Sequence, residues 1–129
     1  MKFLCVYKSS KPEGTPPTQP EMAEMGKLIE NMQKSGVLLA TEGCLPSALG
    51  ARVRKSGSKI TVMDGPFTEA KEIIGGFALI QVNSKEEAIE QTKKFLQIAG
   101  DGESEIRQIF EGAECRPHEA ALTAQETRR

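Results

Sequence analysis

The chain has 129 residues, 38% of them apolar and 27% charged, with a formal net charge of −1. That is the size and make-up of one globular domain, and it excludes the basic excess that marks a nucleic-acid partner. The opening Met1–Lys8 stretch holds too short an apolar run for a signal peptide or a membrane span, so no membrane partner is expected.

Residues 2–8 read as a first strand, with Phe3, Cys5 and Tyr7 on one side and Leu4 and Val6 on the other. Both sides are apolar, which predicts a central strand covered on two faces. Ser9–Pro20 carries four prolines and one glycine and reads as a loop. Thr18 and Glu21 have capping-box spacing, with Pro20 in the first turn. Met22, Met25, Leu28, Ile29 and Met32 then recur at three and four residues, which predicts an amphipathic helix over about 21–35 ended by Gly36. The three methionines suit either an adaptable binding groove or core packing, and packing is the plainer expectation.

Residues 37–42 predict a second strand closed by Gly43 and Pro46. Glu42 lies at its end, either pointing into a pocket or exposed on the rim. Arg52–Val53–Arg54 and Ile60–Thr61–Val62 flank Lys55–Ser56–Gly57–Ser58 and predict a hairpin. Its two arginines share a face, either as an anion site or as a solvated surface. Residues 77–82 predict another strand, and Ser84 with Glu87 a second capping box. A helix follows over about 85–99, stopped by Gly100 and Gly102, then a last strand over 105–110. The tail, 114–129, has little to bury, so the expected division is a domain over 1–113 and a C-terminal tail.

Three widely spaced cysteines, Cys5, Cys44 and Cys115, and a single histidine, His118, offer neither a zinc motif nor a disulfide framework. No metal or cofactor is expected, and a reducing cytoplasm is the natural compartment. Without the hairpin, the order is strand-helix-strand-strand-helix-strand. That is the α+β, ferredoxin-like arrangement of one antiparallel sheet with two helices on one face. Two helices cover one face only, so a second copy of the chain is expected on the other, making a homodimer.

The stretch Asp64-Gly65-Pro66-Phe67-Thr68-Glu69-Ala70-Lys71-Glu72 joins two of these strands. An aspartate ordinarily bonds the N–H two residues on, but here that residue is Pro66, which has none. Its carboxylate is left for the N–H of Phe67 or Thr68, for another part of the fold, or for a ligand. Gly65 permits a backbone angle closed to other residues.

Residues 64–72 resemble the signature of the DGPF family, within the YCII-related superfamily. Asp64, Gly65, Pro66, Phe67, Glu69, Lys71 and Glu72 match it, while Thr68 and Ala70 are the family's alanine and threonine exchanged. The Lys2–Leu4 strand, Gly75–Phe77 and Glu105–Arg107 are also similar, so the resemblance covers roughly residues 1–110. It implies a ferredoxin-like subunit of a dimeric α/β barrel with a cleft in each subunit. Some related proteins carry a histidine–aspartate pair proposed as catalytic. This chain departs there, because no histidine precedes His118. The resemblance is specific for membership and not for an activity.

Three functions compete on this basis. In the first, a cleft binds an unknown small molecule, with Asp64 as catalytic acid or base and Tyr7, Glu42, Gly65, Pro66, Phe67, Glu69 and Lys71 around the ligand. In the second, the resemblance implies a non-catalytic regulatory or accessory module linked to sigma-factor-dependent transcription. In the third, the motif is architectural, with Asp64 capping its turn through the Phe67 N–H.

Overall fold

The computed structural model describes residues 1–67 and 73–112. Glu69 and Lys71, the 114–129 tail, Cys115 and His118 lie outside the described residues, as does the expected division after residue 113.

Strands β1 (Lys2–Ser9), β2 (Leu38–Gly43), β3 (Ala51–Ser56), β4 (Lys59–Asp64), β5 (Ile74–Gln81) and β6 (Gly102–Gln108) are joined with helices α1 (Gln19–Lys34) and α2 (Lys85–Ala99). A four-stranded sheet has the order β2-β5-β1-β6, and β3-β4 forms a separate two-stranded sheet. Every pairing is antiparallel. With the hairpin set aside, this is the strand order of a ferredoxin-like α+β fold. No described helix is long and apolar enough to cross a membrane.

The helices begin where their caps place them. The Thr18 hydroxyl accepts from the Glu21 N–H at 3.2 Å, and the Glu21 carboxylate accepts from the Thr18 N–H at 2.8 Å. Gly36 follows α1 at φ 81°, a left-handed stop. At α2, Ser84 caps the Glu87 N–H at 3.1 Å, while the Glu87 carboxylate reaches the Asn83 N–H at 3.0 Å. Gly100 ends α2, but Gly102 does not stop a helix: it is the first residue of β6. The last strand thus starts earlier than its apolar run suggests, because pairing with β1 begins at Ser9↔Gly102. The hairpin strands are also longer than expected and close on Gly57–Ser58 alone, with Gly57 at φ 62°.

Register divides the sheet into two apolar rows. Phe3 and Cys5 face the same side as Ile80, Ala78 and Ile106. With Leu38, Val82 and Ala88 they form the core, against which Ile29 and Met32 of α1 pack. The opposite row, Leu4, Val6, Phe77 and Leu79, is half-buried. Lys8, Glu105 and Arg107 flank it with ion pairs of 3.2 and 3.1 Å. Every residue of β3 and β4 is exposed.

A candidate binding cleft between the sheet and the helices

Helix α1 carries an apolar stripe, yet none of its residues is buried. It packs on the core through Ile29 and Met32, and it borders a cleft of about 900 Å³ shared with α2 and the sheet. Met22, Met25, Leu28, Ile29 and Met32 of α1 line one wall, and Phe95 and Ile98 of α2 another. Cys5, Tyr7, Leu38, Ala78 and Ile80 supply the floor from the sheet. All three methionines line the cleft, and Met32 also packs on the core. Packing alone does not account for the stripe.

Few polar groups reach this space. The Tyr7 ring stands edge-on to Phe95, with centroids 5.0 Å apart and planes at 81°. Its hydroxyl donates to the Asp101 carbonyl at 3.4 Å. Gly102 makes room for it, since a Cβ there would lie 2.8 Å from the Tyr7 ring. The Cys5 thiol lies 3.9 Å from the Thr92 hydroxyl, which itself donates to the Ala88 carbonyl at 2.9 Å. Burial pushes the Cys5 thiol up, outweighing the Thr92 hydrogen bond, so it stays protonated and unreactive at neutral pH. At the mouth, Lys11 and Glu21 lie 3.5 Å apart. The Glu21 carboxyl is held below its ordinary value, chiefly by the Thr18 N–H. Glu42 borders the cleft at the β2 edge. Its register pairs it with Phe77, in the row turned away from the helices.

Asp64, Gly65, Pro66 and Phe67 are not among the residues that line this cleft. The reason is topological: Asp64 ends β4, which belongs to the separate two-stranded sheet. Asp64 is exposed, and among the described residues its carboxylate has no hydrogen-bond or ion-pair partner. The Phe67 N–H, which a capping Asp64 would use, donates instead to the Ser47 hydroxyl at 3.0 Å. Phe67 is buried, with the Arg52 guanidinium 3.9 Å above its ring. Arg52 is thus a stacking partner of the loop.

Gly65 has no positive φ. Its role is close approach: a Cβ there would lie 1.7 Å from the Ser47 carbonyl oxygen. Its N–H donates to the Gly50 carbonyl at 3.1 Å, and its peptide bond to Pro66 is cis. The loop is therefore seated on the short 3-10 turn Ser47–Leu49.

Two residues that sequence reasoning passed over connect this seat to the cleft. Glu13, in the proline-rich loop, accepts from the Ser47 N–H at 2.6 Å and from the Ser47 hydroxyl at 2.7 Å. These bonds, the hydroxyl's first, hold the Glu13 carboxyl below its ordinary value. Neither residue falls in a motif, and their sequence separation gives no local signal; only the fold brings them together.

Among the described residues, no group of three or more His, Cys, Asp or Glu is placed to hold a metal. No buried side-chain nitrogen or oxygen among them lacks a partner.

Residues 1–112 match the YCII-related domain. An uncharacterised protein of Rhizobium meliloti (strain 1021) is 33% identical over 69 residues, which are 54% of this chain and 56% of that protein. The chain thus spans little more than half of that relative. Among solved structures, the 5-chloro-2-hydroxyhydroquinone dehydrochlorinase of Burkholderia phenoliruptrix AC1100, in complex with 2,5-dihydroxybenzoquinone, is similar at a TM-score of 0.48 and 14% identity. That likeness covers 88% of this chain and 98% of the other.

Proposed function

The chain belongs to the YCII-related domain family, and from that premise we propose that it binds a small, mainly apolar molecule in the cleft between the sheet and the helices. The observation that carries this reading is the cleft itself. Its volume of about 900 Å³ falls in the range of ligand sites, and its walls are apolar with a few polar groups, as such sites are built. Met22 and Met25 adapt to the shape of a guest without a fixed rotamer, and the Tyr7 hydroxyl is one polar handle in the lining. A fluorescent neutral probe, N-phenyl-1-naphthylamine, tests the reading. Met22 is 55% exposed, so Met22→Trp leaves the fold intact while filling the space beneath α1. Binding weakened about tenfold or more in that variant supports the site, because roughly 1.4 kcal/mol of lost contact is a factor of ten. Equal binding by both proteins refutes it.

On residues 64–67 and the sequence that follows them, we place the chain in the DGPF group of this family. The exposure of Asp64 and its place outside the cleft favour binding over an acid–base activity there, and favour a loop that orders the site's surroundings. The half-buried row Leu4, Val6, Phe77 and Leu79 supports a homodimer in which two sheets face each other as a dimeric α/β barrel. Such an interface should bury about 2,000 Å² or more in total. Sedimentation equilibrium at micromolar concentration should give a dimer, and Val6→Asp a monomer. A monomeric native protein would remove the barrel.

A further inference from the structure

A guest must enter the cleft beside a helix that is tethered at its start by the Thr18 cap. The loop between β1 and α1 crosses the mouth, and Lys11, Pro12, Glu13 and Gly14 line the cleft from it. Its two ends are fixed. Ser10 donates to the Asp101 carbonyl from its N–H at 3.2 Å and from its hydroxyl at 2.9 Å. Thr18 is locked into the cap of α1. Between them the chain folds into a turn: Thr15 donates to the Pro12 carbonyl from its N–H at 3.2 Å and from its hydroxyl at 2.7 Å, with Gly14 at φ 83°. That turn presents Glu13 to Ser47, which directly follows the Cys44, Leu45 and Pro46 of the cleft's lining. Both carboxylate oxygens meet Ser47, at 2.6 and 2.7 Å.

The Ser47 side does not move easily. The Ser47 hydroxyl also accepts from Phe67 at 3.0 Å, its carbonyl accepts from the Gly50 N–H at 2.9 Å, and Gly65 packs directly against that carbonyl. The Glu13 side is an exposed loop. The other contact at the mouth, Lys11 with Glu21, is an exposed ion pair at 3.5 Å, and such pairs hold little.

We propose that the proline-rich loop is a lid over the cleft, that Glu13 is its clasp, and that the signature loop serves as the anchor by fixing Ser47. The proposal rests on the cleft reading and concerns the control of access to it. A charged hydrogen bond is among the strongest a surface offers, yet this one is open to water, so it is made and broken without unfolding the domain. Opening of such lids often sets the rate of ligand exchange. A lid that gates passage and adds little contact to the guest changes entry and exit by the same factor.

Stopped-flow fluorescence with N-phenyl-1-naphthylamine tests this on the full chain. Glu13→Ala should raise both the association and the dissociation rate about tenfold, the scale of one charge-assisted hydrogen bond, with little change in Kd. Glu13→Gln keeps one acceptor and should fall between. Amide exchange at Ser47, measured without the probe, should speed up in Glu13→Ala. Binding that Met22→Trp blocks, with rates unchanged in Glu13→Ala, overturns the lid alone. An unchanged Ser47 amide overturns the clasp whatever the probe does. Probe binding insensitive to Met22→Trp, or absent, overturns the cleft reading and the gate with it.

Discussion

The seating of the signature loop is open to a direct test at Gly65. In Gly65→Ala the new methyl would lie 1.7 Å from the Ser47 carbonyl oxygen, 2.6 Å from its carbon and 3.2 Å from the Ala48 nitrogen. All three are backbone atoms, so no side chain can rotate away, and the loop must lift from the 3-10 turn. Lifting breaks the Gly65–Gly50 and Phe67–Ser47 hydrogen bonds, of 3.1 and 3.0 Å, each worth about 0.5–1.5 kcal/mol. If the Phe67 ring follows, about 1.5–3 kcal/mol of burial is lost as well, with about 0.5–1 kcal/mol from the Arg52 contact. A loss of about 1–3 kcal/mol is expected from the two hydrogen bonds, and release of the whole loop would raise it to about 3–7 kcal/mol. Urea denaturation of the two proteins side by side measures the difference. Gly50→Ala is the control, because its Cβ would meet the same Ser47 oxygen at an ordinary 3.6 Å; it should cost under about 0.5 kcal/mol. A Gly65→Ala protein as stable as wild type would refute the close-approach argument and the anchoring of Ser47 together.

Other substitutions separate roles that the sequence leaves mixed. Gly26→Ala adds a methyl to the interior of α1 with nothing within 4 Å, so it should stabilise the protein by up to about 1 kcal/mol, read by thermal melting. Asp64→Asn should leave both urea stability and probe binding unchanged within about 0.5 kcal/mol, since its carboxylate touches no described group; a large loss of either would restore Asp64 to the site. The carboxyls of Glu13, Glu21 and Glu105 are depressed by Ser47, by the Thr18 N–H and by Arg107 respectively. Their stabilisation is complete above the unfolded value of about 4.3 and fades as pH falls through the lower folded values. Melting temperature should therefore decline on acidification below that point, by less in Glu13→Gln. Added salt should weaken the Glu105 share most, because ion pairs with Lys8 and Arg107 supply it.

The sequence by itself determined the elements and their order, because those depend on neighbours along the chain. Thr18 with Glu21, Gly36 beyond α1 and Ser84 before α2 are local hydrogen-bond and backbone constraints, and they act wherever the helix lies. Alternation in β1 likewise foretold two apolar rows. Strand bounds were less legible at β6, where pairing with Ser9 extends the strand back to Gly102 through residues that carry no apolar signal. Tertiary structure alone decided the site. Whether the methionines of α1 bury or line a cleft depends on how far the helix stands from the sheet, which no periodicity encodes. Gly65 looked like a torsional residue and proved to be a contact residue, because its constraint comes from Ser47, 18 positions away in the chain. Asp64 stood in the most specific motif of the sequence, and it ends a strand of the separate β3-β4 sheet, outside the lining of this cleft. Glu13 and Ser47, with no motif between them, meet because the fold brings the proline-rich loop against the 3-10 turn, and hydrogen bonds act over ångströms of space rather than positions in sequence.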